Sequence, residues 1–304
     1  MENFRLKVFR TVAEKQSFRR AAEILYLTQP AVTLQVKALE DEIGLQVFDR
    51  SCKIIQLTDA GARLLQYAQE IAILANAALR DLASLKNAAN AELQIGVSTT
   101  IAQYVFFTFA AEFVKSNPTV RLRVVSGNTD SVVQSLLDGV TSLGLVEGPA
   151  RQALLKREVF LKDEIVAIVP AGHPWQQQVI ALDQLTRAPL IFREEGSGTR
   201  WVVESALKRA GVSLRDLKIA MQMNSTESIK AAVEAGMGVG FASQRAIEKE
   251  IRLGTLTAVK LEKLRFHREF TILYPRGSDH AGNAGAFLDF LRRISRQSRV
   301  RANY

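Results

Sequence analysis

The chain is expected to fold as an all-α N-terminal unit, one long helix, and a C-terminal α/β domain built on a parallel sheet. Three observations predict this. Residues 1–57 hold three short apolar stripes at helical spacing, residues 58–87 carry one long stripe without proline, and beyond Ala91 strand-like runs alternate with helical patterns. The 304 residues, 47% hydrophobic and 23% charged, supply enough chain for two or three units with cores of their own.

In the first unit Phe4, Val8, Phe9 and Val12 line one helical face. Ser17 is a natural N-cap for a second helix carrying Ala21, Ala22 and Leu25, and a turn spans Tyr26 to Thr28. Thr28 caps a third helix with Pro30 in its first turn, where a missing N–H does no harm, and Gly44 stops it. Its buried face is read as Val32, Val36, Leu39 and Ile43, which leaves Gln29, Thr33, Leu34 and Lys37 facing outward. The following LQVFDRSCKIIQLT reads as a two-stranded wing with Asp49 to Lys53 near its tip. Helix, turn, helix and wing make a winged helix-turn-helix. In a DNA major groove Gln29 can pair bidentately with adenine and Thr33 can touch a thymine methyl, while Arg50 and Lys53 hold phosphates. A small helical module that binds protein is the competing reading from spacing alone.

The long stripe runs through Leu64, Tyr67, Ala68, Ile71, Leu74, Ala75, Ala78, Leu82 and Leu85. A helix of that length spans about 45 Å and cannot bury its stripe alone. A second copy packed alongside gives a dimer whose two reading heads meet two half-sites. Packing against the chain's own C-terminal domain is the alternative.

In the C-terminal region, ELQIGVS, RLRVVSG, LGLVEG, EIVAIVP, PLIFRE, LKIAMQM, VGFAS and REFTILYPR read as strands. Helices are expected near 100–115, 129–138, 199–210, 226–235 and 244–252, and from about 281. Strand, helix, strand at this short spacing implies a parallel sheet.

Two segments of this region are suited to holding an anion. GVSTTIAQY sets Ser98, Thr99 and Thr100 between a strand and a helix start, and FREEGSGTR does the same with Ser197, Gly198 and Thr199, its glycines allowing a close approach to a ligand. Ser225 and Thr226 open a third helix, and Gln103 and Glu147 are read as facing the same space. Free N–H groups and hydroxyls at helix starts suit sulfate, phosphate or carboxylate oxygens. Ordinary helix capping accounts equally well for each segment taken singly.

Other classes are disfavoured. Glu194 and Glu195 are adjacent on an extended segment, so their side chains diverge and do not form an acid/base pair, and no other catalytic constellation is present: the chain is not read as an enzyme. His173, His267 and His280 lack metal-ligand spacing, and the single Cys52 excludes an internal disulfide. The glycines of GMGVG follow a helix and enter a strand, the reverse of a dinucleotide-binding turn. No stretch approaches the roughly 18–20 apolar residues that span a bilayer, and MENFRLKVFR has no apolar signal core, so a cytoplasmic location without a membrane partner is expected. The net charge of +9 favours a polyanionic partner, yet residues 1–90 hold 12 Lys+Arg against 10 Asp+Glu, so net charge does not locate a DNA surface. Arg292, Arg293, Arg296, Arg299 and Arg301 are read as the solvated face of the last helix, opposite Phe287, Phe290, Leu291 and Ile294.

The run SFRRAAEILYLTQPAVTLQVKALEDEIGLQVFDRSCKIIQLTDAG resembles the LysR-type regulator signature along its whole length, at Ser17, Ala21, Ala22, Thr28, Gln29, Pro30, Ala31, Leu39, Glu40, Gly44, Phe48, Arg50, Leu57, Thr58 and Gly61. The resemblance covers nearly the whole chain. It implies a DNA-binding domain at 1–58, a linker and dimerisation helix at 59–88, and a two-lobed effector domain of the periplasmic-binding-protein type (type 2) at 92–304. Lobe I would be about 92–162 and 268–304, and lobe II about 163–267, joined by two crossovers. It further implies sequence-specific binding of double-stranded promoter DNA, homodimers and homotetramers, contact with RNA polymerase, and no cofactor. The segments at Ser98–Thr100 and Ser197–Thr199 resemble the subgroup of CbbR-like regulators of carbon fixation and YeiE- and CysL-like regulators linked to sulfite. That likeness implies a small anionic effector: a sulfur oxyanion, a sugar phosphate, or a phosphorylated or organic acid. Many relatives carry Arg or Gln where this chain has Leu34, so a polar base contact is lost there. Cys52 stands where relatives carry a small or basic residue.

Overall fold

Capping chemistry sets the first helices. Asn3 accepts from the Arg5 and Leu6 amides at the start of α1 (Phe4–Lys15), Ser17 from the Arg20 amide at α2 (Phe18–Leu25), and Thr28 from the Ala31 amide at α3 (Gln29–Ile43), which ends at Gly44 with φ +70°. The computed structural model describes residues 2–49, 55–86, 92–150, 152–176, 178–276 and 282–301, and the chain divides into two compact units, 1–88 with 137–140 and 89–136 with 141–304.

In the first unit Val8, Phe9, Val12, Ala21, Ala22, Val32, Val36 and Leu39 share one core with Phe48. Phe48 lies 5.5 Å from the Phe9 ring and 5.6 Å from Phe18, and each such buried side chain contributes about 1.5–3 kcal/mol. Ile43 departs from the expectation: it is 38% exposed, and the buried position at this end of α3 belongs to Glu40. The Glu40 carboxylate accepts the Val47 amide at 2.9 Å, satisfying a backbone donor that an apolar side chain could not. The wing pairs β1 (Phe48–Asp49) with β2 (Gln56–Leu57) antiparallel. The long helix α4 (Asp59–Lys86) starts against it, with Gly61 so close to the wing that an added Cβ would lie 2.0 Å from the Val47 carbonyl oxygen. Ala68 and Ala72 are buried, while Tyr67, Ile71, Leu74, Leu79 and Leu82 are exposed.

The second unit opens with β3 (Glu92–Ser98), followed by α5 (Thr99–Ile101), a π turn (Ala102–Phe106) and α6 (Phe107–Ser116). Then come β4 (Arg121–Gly127), α7 (Thr129–Leu137), β5 (Leu143–Glu147) and β6 (Leu155–Pro170). After β7 (Val179–Ile180) and α8 (Leu182–Arg187) the chain forms β8 (Leu190–Arg193), α9 (Gly198–Arg209), β9 (Ile219–Met223) and α10 (Thr226–Glu234). It closes with β10 (Val239–Ser243), a 3-10 turn (Gln244–Ile247), α11 (Glu248–Leu253), β11 (Leu256–Leu261), β12 (Phe266–Pro275) and α12 (Gly282–Arg301).

The sheet order β4-β3-β5-β12-β6-β10-β8-β9 is mixed rather than wholly parallel. Each end is a parallel trio, and β12 and β6 run antiparallel through the middle, paired from Phe266↔Ile165 to Pro275↔Leu155. Both connections between the halves therefore lie in one ladder, in which Arg268 stands opposite Asp163. The β3 half has a core rich in phenylalanine, including Phe106, Phe109, Phe113, Phe270, Phe287 and Phe290, with Phe113 and Phe287 edge to face at 4.8 Å. The β8 half buries Phe192, Val203, Phe241 and Phe266 on one face and Ile191, Ile229, Val233 and Ile247 on the other.

Candidate functional site

The first candidate surface is α3. Thr28, Gln29, Pro30, Thr33, Leu34 and Lys37 are all exposed along it, opposite Val32, Val36 and Leu39. The Thr33 hydroxyl donates to the Gln29 carbonyl at 3.0 Å, so its donor is used within the helix. Leu34 is 64% exposed. Arg50, Lys53 and Cys52 lie outside the described residues.

The second candidate lies where the two halves of the α/β unit meet, and it is organised by an arginine that sequence reasoning missed. Arg268 of β12 is buried. Its Nε donates to Asp163 at 2.6 Å, its Nη1 donates to the Thr199 hydroxyl at 2.8 Å and lies 3.0 Å from the Glu147 carboxylate, and its Nη2 has no partner among the described residues. Asp163 also accepts from the Ser243 hydroxyl at 2.8 Å. Glu147 accepts from the Thr100 hydroxyl at 2.8 Å, and its backbone carbonyl accepts from Thr129 at 2.8 Å. One guanidinium thus ties Thr199 at the start of α9 to Glu147 at the end of β5.

The remaining predicted residues lie at the end of β3, in the segment that follows it, and at the starts of α9 and α10. Ser98 is buried at the end of β3, and its hydroxyl makes no hydrogen bond among the described residues. Thr99 donates to the Gly127 carbonyl at 3.0 Å, and Gln103 is exposed on the π turn. Ser197 caps α9, accepting from the Arg200 amide, and Ser225 caps α10, accepting from the Glu227 amide at 3.2 Å. Thr226 accepts from Nη1 of a second buried arginine, Arg193, at 3.4 Å. The close approach at Gly198 is not to open space, as its motif suggested. An added Cβ would fall 1.3 Å from the Glu147 carbonyl oxygen, so the glycine brings two backbone segments together, facing Gly148 with φ +102°. Gly196 with φ +81° likewise packs on Asp130 and Asn128. Glu194 and Glu195 go to different surroundings: Glu194 accepts from Arg193 Nε at 2.8 Å, while Glu195 is exposed.

At the outer edge, the Tyr104 hydroxyl donates to the Glu227 carboxylate of α10, and Lys230 sits 5.2 Å from the centre of the Tyr104 ring, 2.9 Å from Glu227 and 2.7 Å from Glu250. Burial and the adjacent Glu227 carboxylate push the Tyr104 phenol up. Burial would raise Glu227, but hydrogen bonds from Tyr104 and Lys230 outweigh it and hold that carboxyl below its ordinary value. Ser197, Gly198, Thr129 and Asp130 line a cavity of about 390 Å³, and Arg268, Gly148 and Trp201 line another of about 610 Å³. Ser98, Thr99, Thr100, Ser225 and Thr226 are not in the lining of either. A charged residue inside an apolar strand, as in LIFR, HREFTILYP and DEIVAIVP, was the signal that could have found Arg193, Arg268 and Asp163.

A helix-turn-helix with an exposed reading helix, joined to a two-lobed α/β domain with a polar, arginine-lined junction, defines a ligand-responsive transcription regulator. Residues 4–62 match the family described as bacterial regulatory helix-turn-helix protein, lysR family, and residues 86–296 match the LysR substrate binding domain. The chain belongs to the LysR family of transcription regulators and is not an enzyme. It is 35% identical over 287 residues to the RuBisCO operon transcriptional regulator of Allochromatium vinosum, covering 94% of each chain. The regulatory domain of Synechocystis PCC6803 CcmR in complex with 2-PG is similar at a TM-score of 0.62 and 25% identity, over 67% of this chain and 97% of that one. HinK, a LysR family transcriptional regulator from Pseudomonas aeruginosa, shares the fold at a TM-score of 0.58 and 24% identity, over 96% of this chain and 98% of that one. Among the described residues no helix is long and apolar enough to cross a membrane.

Proposed function

We propose that this regulator acts in the cytoplasm, reads promoter DNA with α3 and the wing, and is controlled by a small anionic effector held between its lobes. On this reading 1–58 is the DNA-binding domain, 59–88 the dimerisation helix and 92–304 the effector domain. Thr28, Gln29, Pro30, Thr33, Leu34 and Lys37, with Arg50 and Lys53 of the wing, contact DNA. The effector meets Ser98, Thr99, Thr100, Gln103, Glu147, Ser197, Gly198, Thr199, Ser225 and Thr226, and now also Arg193 and Arg268. The exposed stripe of Tyr67, Ile71, Leu74, Leu79 and Leu82 on α4 supports self-association through that helix. Assembly to a tetramer and contact with RNA polymerase follow from family membership as working expectations.

The observation that carries the anion reading is Arg268. A buried guanidinium nitrogen with no hydrogen-bond partner among the described residues, in a domain that also buries an unbonded Ser98 hydroxyl, favours a ligand rich in acceptor oxygens. The similarity to a regulatory domain complexed with 2-PG supports a phosphorylated acid first. It also supports, through the names of the relatives, a carbon-fixation operon as target.

The test is thermal unfolding of the full chain against 2-phosphoglycolate, phosphoenolpyruvate, ribulose bisphosphate, sulfite, sulfate and thiosulfate, repeated with Ser98→Ala. Because the Ser98 hydroxyl makes no hydrogen bond among the described residues, the variant should melt with the parent when no anion is added. An anion at about 100 times its Kd adds about 2.7 kcal/mol, and that gain should shrink in the variant. A panel in which nothing raises the melting temperature refutes the anionic effector.

A further inference from the structure

We infer that Leu34 reads a thymine by its C5 methyl group, so that the sequence preference of α3 rests in part on an apolar contact. This deepens the reading of α3 as the DNA-contacting helix and rests on it. Leu34 is two residues from Val32 and two from Val36, which places it about 160° around the helix from each. It therefore stands almost diametrically opposite the buried line, at the crest of the face offered to a groove. It is 64% exposed, and the exposed residues beside it on that face are Pro30, Thr33 and Lys37, with Asp41 two turns further on.

The chemistry of the face narrows what it can recognise. Lys37 is a point charge, and Pro30 offers no N–H. Thr33 has used its hydroxyl donor on the Gln29 carbonyl at 3.0 Å, which leaves it an acceptor oxygen and a methyl. The fully exposed amide on the described part of the helix is that of Gln29, at its first residue, which suits adenine; the second amide, Gln35, is half-buried. Within the major groove, the apolar feature of a base edge is the thymine C5 methyl, since guanine, cytosine and adenine present donors and acceptors that an isobutyl group would strip of water without replacing. A leucine at the crest is thus tolerated best over thymine.

The experiment uses the full chain. A preferred site is first selected from random duplex DNA, and each thymine of its half-site is then replaced in turn by deoxyuridine, which removes only the methyl group. Burial of one such carbon is worth about four-fold in affinity, so one position should lose about that much when substituted, and more when both half-sites carry the change. Leu34→Ala, at an exposed position that the fold does not need, should bind the thymine and deoxyuridine forms of that site equally. Its affinity for unrelated DNA, set by phosphate contacts, should stay unchanged. A selected site in which no deoxyuridine weakens binding overturns the methyl contact, and so does a loss of equal size in the parent and in Leu34→Ala. A chain that selects no sequence at all overturns the reading of α3 itself, and this inference with it.

Discussion

Arg268→Met tests the interlobe knot most directly. The arginine and both carboxylates it holds are buried, at 2.6 Å to Asp163 and 3.0 Å to Glu147, so methionine of similar length removes the charge while filling much of the space. Breaking a buried pair by deleting one partner costs about 3–5 kcal/mol, because the surviving charge is left without compensation. Hydrogen bonds from Ser243 and Thr100 remain to the two carboxylates and argue for the lower part of that range. For a domain of this size each kcal/mol lowers the melting temperature by about 2–4 °C, which gives a fall of about 6–20 °C. Calorimetry of the full chain measures it on the transition of the α/β domain. A second substitution, Asp163→Asn, should recover part of the loss in the Arg268→Met background, since it neutralises one stranded carboxylate. A melting temperature within about 2 °C of the parent, or a second substitution that adds a further loss, would refute the charge-compensation argument.

Two other outcomes follow from contacts described above. Gly198→Ala places a methyl against the Glu147 carbonyl, which is backbone and cannot rotate away; a loss of at least about 1–3 kcal/mol in thermal unfolding is expected, with a blunted response to any stabilising anion. Tyr104→Phe removes the hydrogen bond that helps hold Glu227 below its ordinary value. A depressed carboxyl stabilises the fold above its unfolded-state value, and that contribution disappears as pH falls through the folded one. The melting-temperature gap between parent and variant should therefore be widest at neutral pH and close in acid; a gap independent of pH would show that the phenol and the carboxylate are not coupled.

The first unit was legible because its signals are local. Ser17, Thr28, Pro30 and Gly44 each act on the helix that begins or ends beside them, and Val8, Phe9, Val12, Val32, Val36 and Leu39 are buried as their spacing predicts. Ile43 misled because at a helix end the 3.6-residue period competes with the exit of the chain, and there Glu40 meets a backbone amide instead. In the α/β unit the strand cores were readable, but β6 was seen only from Glu164 onward. Lys156, Arg157, Glu158, Lys162 and Asp163 interrupt its apolar pattern, in the stretch that pairs with β12 alone, whereas Ile165 to Pro170 pairs with β10 and β11. The two-residue strand β7 carries too few residues to establish a period. The arginines of the site escaped for a different reason. Arg268 and Asp163 are 105 residues apart, and nothing local to either announces a partner.

The single ladder of β6 and β12 determines what kind of movement the effector domain can make. Two separate loops would let the lobes swing like doors, or slide past each other. A hydrogen-bonded ribbon whose register runs unbroken from one lobe into the other, apart from one irregularity beside Phe270, resists sliding, because every rung would have to break at once. It yields most readily to torsion, since paired strands are already twisted and differ little in energy over a range of twist. A ligand that draws the cleft together therefore winds a torsion bar.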